Sequence, residues 1–281
     1  MTDGNRVGSV VIRVVRLRVD GVARAARLVG DDRAQLYEHD DPLAALATGP
    51  DGDLVELDAH ELLPPVHAPE IWGAGVTYER SLDARLEEAR TGARDLYSLV
   101  YEAERPELFL KDAGMRRTVG PGGAIRVRSD SKWTVPEPEL GLVLGAAGKP
   151  VAVTVANDVS SRDVEGANPL YIPQAKTYAG SCAIGPALAV PDDWDAPWTI
   201  RLRIADHGRE LFAGETSTAK MKRRIPELVE WLVRDNPLPA GSVLLTGTGL
   251  VPPDDYTLAP GHEVSVTIDG IGTLVNTVAD D

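Results

Sequence analysis

The sequence contains very few residues of several chemically distinctive types. Among 281 residues there is one cysteine, Cys182, and there are two phenylalanines and five histidines. A single cysteine excludes an intrachain disulfide and a zinc site built from several thiolates. Because Cys182 lies in a segment of small residues, we interpret it as a packing residue and not as a nucleophile.

The histidines also fail to form a metal-binding pattern. They are His39, His60, His67, His207 and His262. None of these positions has the spacing of metal ligands, so any bound metal is expected to be a hard cation held by oxygen atoms.

Long apolar runs and excess positive charge are absent as well. No stretch approaches the roughly 20 continuous apolar residues of a membrane helix. Residues 1–21 alternate Arg with Val, unlike the uninterrupted apolar run of a signal peptide. The 29 basic and 43 acidic residues give a net charge of −14, which disfavours binding to nucleic acid or to an anionic membrane surface. We predict a cytoplasmic protein without nucleic-acid or membrane partners, in which an anionic substrate needs a local positive charge.

A double proline at residues 64–65 separates two groups of predicted elements. Before it, residues 8–20 and 24–37 read as strands, and a short helix falls between residues 40 and 63. We therefore predict a small N-terminal domain over residues 1–65 and a main domain over residues 66–281.

The main domain is predicted to be rich in short strands. An apolar run at residues 71–76 reads as a strand, and residues 81–104 form a charged helical stretch. From residue 106 onward, short apolar runs alternate with Gly and Pro, interrupted by one amphipathic helix at residues 226–234. This pattern predicts an α+β fold that is predominantly β, built as a barrel or a sandwich.

Three acidic residues stand where predicted strands begin or end. Glu137 and Glu139 are two residues apart at the start of an apolar run, so both side chains are expected on one face of a strand. Asp158 ends another apolar run and could converge on them from a neighbouring strand. Three carboxylates completed by water suit Mg²⁺. Two solvent-facing glutamates at a strand edge would show the same local spacing.

Four ordered segments of the sequence resemble signature blocks of the fumarylacetoacetate hydrolase superfamily. They are PEPELGLVLG, ANDVSSRD, QAKTYAGSCAIGP and LLTGTG, and the resemblance extends over about residues 70–281. It implies a mixed β-roll catalytic domain, usually dimeric, that binds Mg²⁺ or Mn²⁺, with Ca²⁺ as a further hard cation. Carried over to this chain, the metal ligands are Glu137, Glu139 and Asp158. Arg162 and Asp163, which follow Asp158, are interpreted as structural residues that pair with neighbours.

The same resemblance assigns roles to residues near the predicted metal site. Lys176 stands where the superfamily keeps a lysine beside the metal, and an ammonium there can hold a substrate carboxylate or exchange a proton. Thr248 and Gly249 belong to a Gly-rich turn that is expected to bind the carboxylate or keto oxygen of the substrate.

The sequence departs from the hydrolases of the superfamily at one place. Those hydrolases are expected to carry a His–Glu pair after the first strand of the main domain, whereas this chain has Ser81 and Ala84 at the corresponding positions. Without that base, attack by water loses its proton acceptor.

Further segments resemble one branch of the superfamily, the 2-keto-3-deoxy sugar acid dehydratases of pentose oxidation. These segments are GVTYERSLDAR, VYEAERPELFLK, NPLYIPQAK and TGTGLVPPDDYTL. The resemblance implies Mg²⁺-dependent dehydration of 2-keto-3-deoxypentonate to 2,5-dioxopentanoate, a small anionic 2-oxo acid being the substrate. The chemistry is consistent, because a cation bound to a 2-oxo acid stabilises the enolate formed when a proton leaves C3.

Residues for the two proton transfers follow as hypotheses. We assign removal of the C3 proton to Lys176 and protonation of the departing C4 hydroxyl to Glu107, with Glu102 and Glu104 as rivals. The expected substrate contacts also include Arg80, Ser81, Lys111 and Tyr171.

Two alternatives remain open from the sequence. A hydrolase or decarboxylase of an acylpyruvate-like 2,4-dioxo acid, including one recruited to specialised metabolism, would share the metal site and differ in the base. A catalytically silent β-rich binding or scaffold protein would retain the fold alone.

Overall fold

The structure is a computed structural model of the chain, and it describes residues 8–79 and 94–280. Most of the described elements are strands. They are β1 (Val10–Val19), β2 (Val22–Val29), β3 (Arg33–Leu36), β4 (Leu54–Glu56), β5 (Glu61–Leu63), β6 (Glu70–Gly75), β7 (Glu107–Ala113), β8 (Thr118–Val119), β9 (Ala124–Ile125), β10 (Thr134–Val135), β11 (Pro138–Leu144), β12 (Pro150–Asp158), β13 (Ser160–Ser161), β14 (Cys182–Pro191), β15 (Thr199–Asp206), β16 (Arg209–Ser217), β17 (Val243–Leu245), β18 (Glu263–Ile268) and β19 (Gly272–Val278).

Five short α-helices accompany these strands in the described residues. They are α1 (Pro42–Ala47), α2 (Arg94–Glu102), α3 (Arg162–Ala167), α4 (Ile172–Lys176) and α5 (Ile225–Val233). The predominance of strands confirms the fold class predicted from the sequence. None of the helices within the described ranges is both long and apolar enough to cross a bilayer.

The strands assemble into one large sheet and two smaller ones. The large sheet has 12 strands and runs β4-β3-β2-β1-β14-β12-β11-β17-β6-β7, with β5 paired to β1 and β8 paired to β14. A five-stranded sheet has the order β16-β15-β18-β19-β9, and β10 pairs with β13.

The N-terminal strands extend the large sheet. β1 and β2 form a hairpin in which Val19 pairs with Val22 around a two-residue turn. Both turn residues, Asp20 and Gly21, have positive φ, as the tight hairpin turn requires. On its other side β1 pairs with β14, which belongs to the predicted main domain. The predicted division of the chain at residue 65 therefore falls between strands of one continuous sheet, and as a domain boundary it stays a prediction.

The large sheet is buried on both faces where β11 and β12 lie. Every residue of β11 is buried, as are the last seven of β12, which explains why these strands read as continuous apolar runs. One core cluster joins Leu140, Leu142 and Val155 to the five-stranded sheet. A second cluster packs Val143 and Ile184 on the opposite face. The centre of the large sheet is thus a rigid platform, and the candidate site lies at one end of it.

Candidate active site

The three carboxylates identified in the sequence converge at the end of the β11–β12 pair. Glu137, Glu139 and Asp158 are each exposed by 5% or less. One carboxylate oxygen from each residue lies within 4.8 Å of the others. The structure therefore brings the predicted metal ligands together in a buried cluster.

The pairing of two neighbouring strands explains this convergence. β11 and β12 are antiparallel, with Pro138 opposite Asn157 and Glu139 opposite Ala156. Glu137 lies one residue before β11, and its carbonyl accepts a hydrogen bond of 2.9 Å from the backbone N–H of Asp158. The start of one strand and the end of the next thus place their acidic residues side by side.

Two buried lysines contact the carboxylates. The ammonium Nζ of Lys176 donates to Glu137 Oε2 at 2.7 Å and to Asp158 Oδ2 at 3.0 Å. It also donates to the hydroxyl of Ser160 at 2.5 Å. Lys111 Nζ forms an ion pair with Asp158 Oδ1 and donates to the carbonyl of Val159. Pairing of this kind is what permits several charges to be buried together.

Arg162, predicted from the sequence to be a structural residue that pairs with neighbours, belongs to the same cluster. Its guanidinium donates to Glu137 Oε1 at 2.9 Å, and the side chain is buried. Asp163 faces elsewhere and accepts hydrogen bonds from Ser131 and from the N–H of Lys132. The contact joins residues that are 25 positions apart, and no local pattern in the sequence indicates it.

The cluster shifts the acidity of two of its carboxyl groups in opposite directions. Burial and the neighbouring charges of Asp158 and Glu137 raise the pKa of Glu139 well above its ordinary value. Burial also opposes ionisation of Asp158, but the charges of Lys111 and Lys176 outweigh it and keep the pKa of that carboxyl below its ordinary value. Glu139 is therefore the carboxylate of the cluster whose charge is least compensated.

The donor set fits a hard divalent cation. Three carboxylate oxygens converge, and no lysine or arginine among the described residues forms an ion pair with Glu139. A buried carboxylate without a cationic partner is costly, and a cation beside it removes that cost. Glu137, Glu139 and Asp158 are thus able to hold Mg²⁺.

A second wall of the site is formed by β6 and β7. Gly73 pairs with Phe109 and Gly75 with Glu107. A Cβ atom on Gly75 would lie 2.0 Å from Glu107 Oε2, and one on Gly73 would lie 2.4 Å from the Phe109 ring. The two glycines therefore let the side chains of β7 lie directly on the backbone of β6.

An irregularity in β7 brings Lys111 to the site. The register passes from Ile71 opposite Asp112 to Trp72 opposite Leu110, which leaves Lys111 as an extra residue on β7. Such a bulge redirects a side chain out of strict alternation. Leu110 is 43% exposed, whereas Lys111 is fully buried against Asp158.

The Gly-rich turn after β17 closes the site beside Glu139. The backbone N–H of Gly247 donates to Glu139 Oε2 at 2.5 Å. Thr248 lines a narrow cavity together with Glu137, Asp158 and Lys176. Gly249 packs on the buried ring of Tyr78, since a Cβ there would lie 2.4 Å from it. This turn both orients a carboxylate and borders the space available to a ligand.

Gly247→Ala is expected to weaken Mg²⁺ binding by about 10- to 100-fold, because the turn orients Glu139. Gly247 has φ +89°, and an added Cβ would lie 2.0 Å from Thr77 Oγ1. Strain of this kind costs on the order of 1–3 kcal/mol, so the melting temperature should also fall. Calorimetric titration with Mg²⁺ and thermal unfolding measure the two effects.

Gly208→Ala is the matched control for this change. Gly208 also has positive φ, +82°, but nothing lies within 4 Å of its added Cβ. It should lose some stability and keep its affinity for Mg²⁺. Equal metal affinity in the two variants would contradict the role assigned to the Gly247 turn.

The structure does not place the remaining predicted site residues in the described cavity. Arg80 and Ser81 lie outside the described residues. Tyr171 is 44% exposed on a 3₁₀ turn and does not line the described cavity. Among the rivals of Glu107, the side chain of Glu102 is 74% exposed and pairs with Lys222, and Glu104 is exposed.

Cys182 is fully buried and burial raises the pKa of its thiol to about 12, which agrees with a packing residue.

Comparison with known proteins identifies the family. The sequence profile of the fumarylacetoacetate (FAA) hydrolase C-terminal domain matches residues 71–279. The chain belongs to the fumarylacetoacetate hydrolase family. The family predicted from the four sequence blocks is therefore confirmed.

Two curated members of the fumarylacetoacetate hydrolase family are similar over most of their length. A 2-dehydro-3-deoxy-D-arabinonate dehydratase of Saccharolobus solfataricus is 47% identical over 76% of this chain and 73% of the relative. A probable 2-keto-3-deoxyxylonate dehydratase of Haloferax volcanii is 49% identical over 85% of this chain and 82% of the relative. Both names belong to the branch predicted from the sequence.

A solved structure of this family has the same fold. It is a 2-keto-3-deoxy-D-arabinonate dehydratase complexed with magnesium and 2,5-dioxopentanoate, with a TM-score of 0.85 and 37% identity. The match covers 96% of this chain and 99% of that protein. The similarity thus extends through the N-terminal strands as well as the main domain.

Proposed function

We propose that this protein is a Mg²⁺-dependent hydro-lyase that dehydrates a 2-keto-3-deoxypentonate to 2,5-dioxopentanoate. The observation that carries the proposal is the buried cluster of Glu137, Glu139 and Asp158, to which the ammonium group of Lys176 donates hydrogen bonds. Its support is the similarity to two dehydratases and to a solved dehydratase complexed with magnesium and the same dioxo acid.

In this proposal the three carboxylates hold Mg²⁺, and Mn²⁺ or Ca²⁺ are alternatives of the same hard class. The bound cation supplies a Lewis acid that polarises the carbonyl of a 2-oxo acid and makes the adjacent carbon acidic. Arg162 and Lys111 orient two of the ligands, because each contacts a carboxylate oxygen directly.

Lys176 is proposed to move the proton at C3. Its Nζ lies between Glu137 and Asp158, at the edge of the cavity where the substrate would bind. The position suits proton transfer because the same side chain contacts two of the carboxylates that would hold the cation.

Glu107 is proposed to protonate the leaving hydroxyl. Its carboxyl group lies against the backbone of Gly75, and Gly75 lines the cavity. Loss of the C3 proton and of the C4 hydroxyl, which leaves as water, gives an unsaturated keto acid. This product rearranges through an enol to the C5 aldehyde. One molecule of water is released for each dioxo acid formed.

The substrate contacts are proposed from the same geometry. Thr248 and Gly249 would bind the carboxylate or keto oxygen, and Lys111 would approach a hydroxyl group in addition to its ion pair with Asp158. Arg80, Ser81 and Tyr171 stay predictions as further contacts.

The proposed activity is tested by incubating the purified protein with 2-keto-3-deoxypentonate in the presence of Mg²⁺ or of excess chelator. We expect 2,5-dioxopentanoate only with Mg²⁺, detected as an aldehyde by NMR. Acylpyruvates are the comparison substrates, because a hydrolase of the family would release pyruvate from them. Pyruvate from acylpyruvates without aldehyde from the sugar acid would reject the proposal, and no turnover of either would favour the scaffold protein.

A homodimer or higher homo-oligomer and a cytoplasmic location are also proposed. Large apolar side chains are exposed at Leu99, Leu110 and Leu170, by 64%, 43% and 82%. Singly exposed leucines are ordinary on a protein surface, so the assembly is proposed from the family resemblance. Light scattering measures the mass of the assembly, and fractionation of cells measures the location.

A further inference from the structure

A short segment before α5 contacts the chain just after β6 and also the chain that leads into β7. This segment, residues 221–223, is called the strap. The backbone N–H groups of Lys222 and Arg223 donate to the carbonyl of Thr77 at 2.9 and 3.3 Å, and Met221 forms a β-bridge with Tyr78. The strap thus holds the chain where it leaves β6, two residues after Gly75.

The side chain of Arg223 holds the approach to β7 in the same way. Its guanidinium donates to the carbonyls of Val100, Ala103 and Glu104 at 2.9, 2.5 and 3.0 Å. These carbonyls lie at and just beyond the end of α2, where a helix leaves acceptors unsatisfied and favours a cation. Arg223 is only 7% exposed, so this cap is protected from water.

Helix α5 provides the support on which the strap rests. Arg223 Nη1 also donates to Glu227 Oε1 at 2.7 Å. The guanidinium of Arg105 lies 4.4 Å from the ring centroid of Trp231, a cation–π contact on the same helix. The turn between α2 and β7 is therefore attached to α5 at two points.

Glu107 is the first residue of β7 and follows this turn directly. Its carboxyl group lies on the backbone of Gly75 with no space for even a Cβ atom between them. The position of the carboxyl group therefore depends on how the two strand ends are held, and the strap holds both of them.

We propose that Arg223 is a positioning residue for Glu107, which acts from outside the site by fixing the ends of β6 and β7. This inference rests on the proposed function, in which Glu107 protonates the leaving hydroxyl. A displacement of about 1 Å in a catalytic group can cost on the order of 100-fold in rate. Arg223→Met is therefore expected to lower kcat by about 10- to 100-fold.

A double-mutant cycle with Glu107→Gln separates positioning from general damage to the fold. In the Glu107→Gln background, the further change Arg223→Met should alter kcat by less than about twofold, because there is no acid left to misplace. Calorimetric affinity for Mg²⁺ should stay the same in all four proteins. Arg223→Lys, which keeps the charge but cannot reach three carbonyls at once, should recover part of kcat.

Arg234→Met is the matched control. Arg234 directly follows α5; its guanidinium lies 3.9 Å from the centroid of the Trp231 ring, and its ion-pair partner among the described residues is Glu230. It should retain kcat within about twofold.

Two results would overturn the inference while leaving the proposed function intact. One is an equal loss of kcat from Arg223→Met with and without Glu107; the other is wild-type kcat in a folded Arg223→Met protein. If Arg223→Met does not fold, the same cycle is run with Arg223→Lys. An equal loss of kcat from Arg223→Lys with and without Glu107 would then overturn the inference. Wild-type kcat in Glu107→Gln itself would instead reject the assignment of the acid.

Discussion

Replacing Glu139 by glutamine is expected to weaken Mg²⁺ binding by about 100-fold or more and to abolish turnover at ordinary Mg²⁺ concentrations. Loss of a residue that merely orients a ligand costs about 10- to 100-fold, and loss of a ligand charge should cost at least as much. Glutamine keeps the volume of the side chain and can still accept the hydrogen bond from Gly247. Calorimetric titration with Mg²⁺ measures the change in affinity.

The same substitution weakens metal binding, but it should raise the free energy of unfolding of the metal-free protein. Glu139 is buried beside Glu137 and Asp158 and has no ion-pair partner in the described part of the chain. Removal of its charge relieves desolvation and repulsion, a gain of about 1–3 kcal/mol. Since each kcal/mol shifts the melting temperature by about 2–4 °C in proteins of 150–250 residues, the variant should melt several degrees higher in chelator.

Glu70→Gln provides the control for both measurements. Glu70 lies on β6, and its carboxylate accepts a hydrogen bond from the indole of Trp72. Its substitution should leave Mg²⁺ affinity unchanged. A Glu139→Gln protein that binds Mg²⁺ as tightly as the wild type would show that the metal lies elsewhere.

Glu107→Gln and Lys176→Met are expected to stop the reaction at different steps. Glu107→Gln should lower the rate of aldehyde formation by about 10²- to 10⁴-fold, the usual contribution of a general acid. Exchange of the C3 protons with solvent should continue in that variant, because the base is still present. Lys176→Met should lose both exchange and aldehyde formation.

Proton NMR in D₂O follows both steps in one sample. Deuterium incorporation at C3 reports removal of the proton, and the aldehyde signal reports loss of water. Glu102→Gln is the control, since that carboxylate is largely exposed and pairs with Lys222. If Glu107→Gln lost C3 exchange as completely as Lys176→Met, Glu107 would be required before the hydroxyl leaves, and the two roles would have to be reassigned.

The central strands of the site were predictable because strands that are buried on both faces appear in the sequence as apolar runs. β11 and β12 are buried on both faces, so they appear as apolar runs, and an acidic residue at the end of such a run is conspicuous. The family resemblance then related Glu137, Glu139 and Asp158 to one another. Their actual convergence required the antiparallel pairing of the two strands.

Other parts of the site left no such pattern in the sequence. Lys111 turns towards Asp158 because one extra residue interrupts the register of β7. Arg162, the first residue of α3, contacts Glu137 from a segment 25 positions away. Neither a bulge nor a contact between distant segments changes the local pattern of apolar and polar residues, so both were invisible before the fold was known.

By itself, the sequence determined the strand-rich fold class, the family and the identity of the acidic cluster, because each depends on local periodicity or on ordered motifs. Only the tertiary structure decided that the N-terminal strands continue the large sheet through β1 and β14, and that Arg223 hydrogen-bonds both to the end of α2 and to Thr77 beyond β6. These features depend on hydrogen bonds between residues more than 100 positions apart. Such bonds form only when the whole chain has folded.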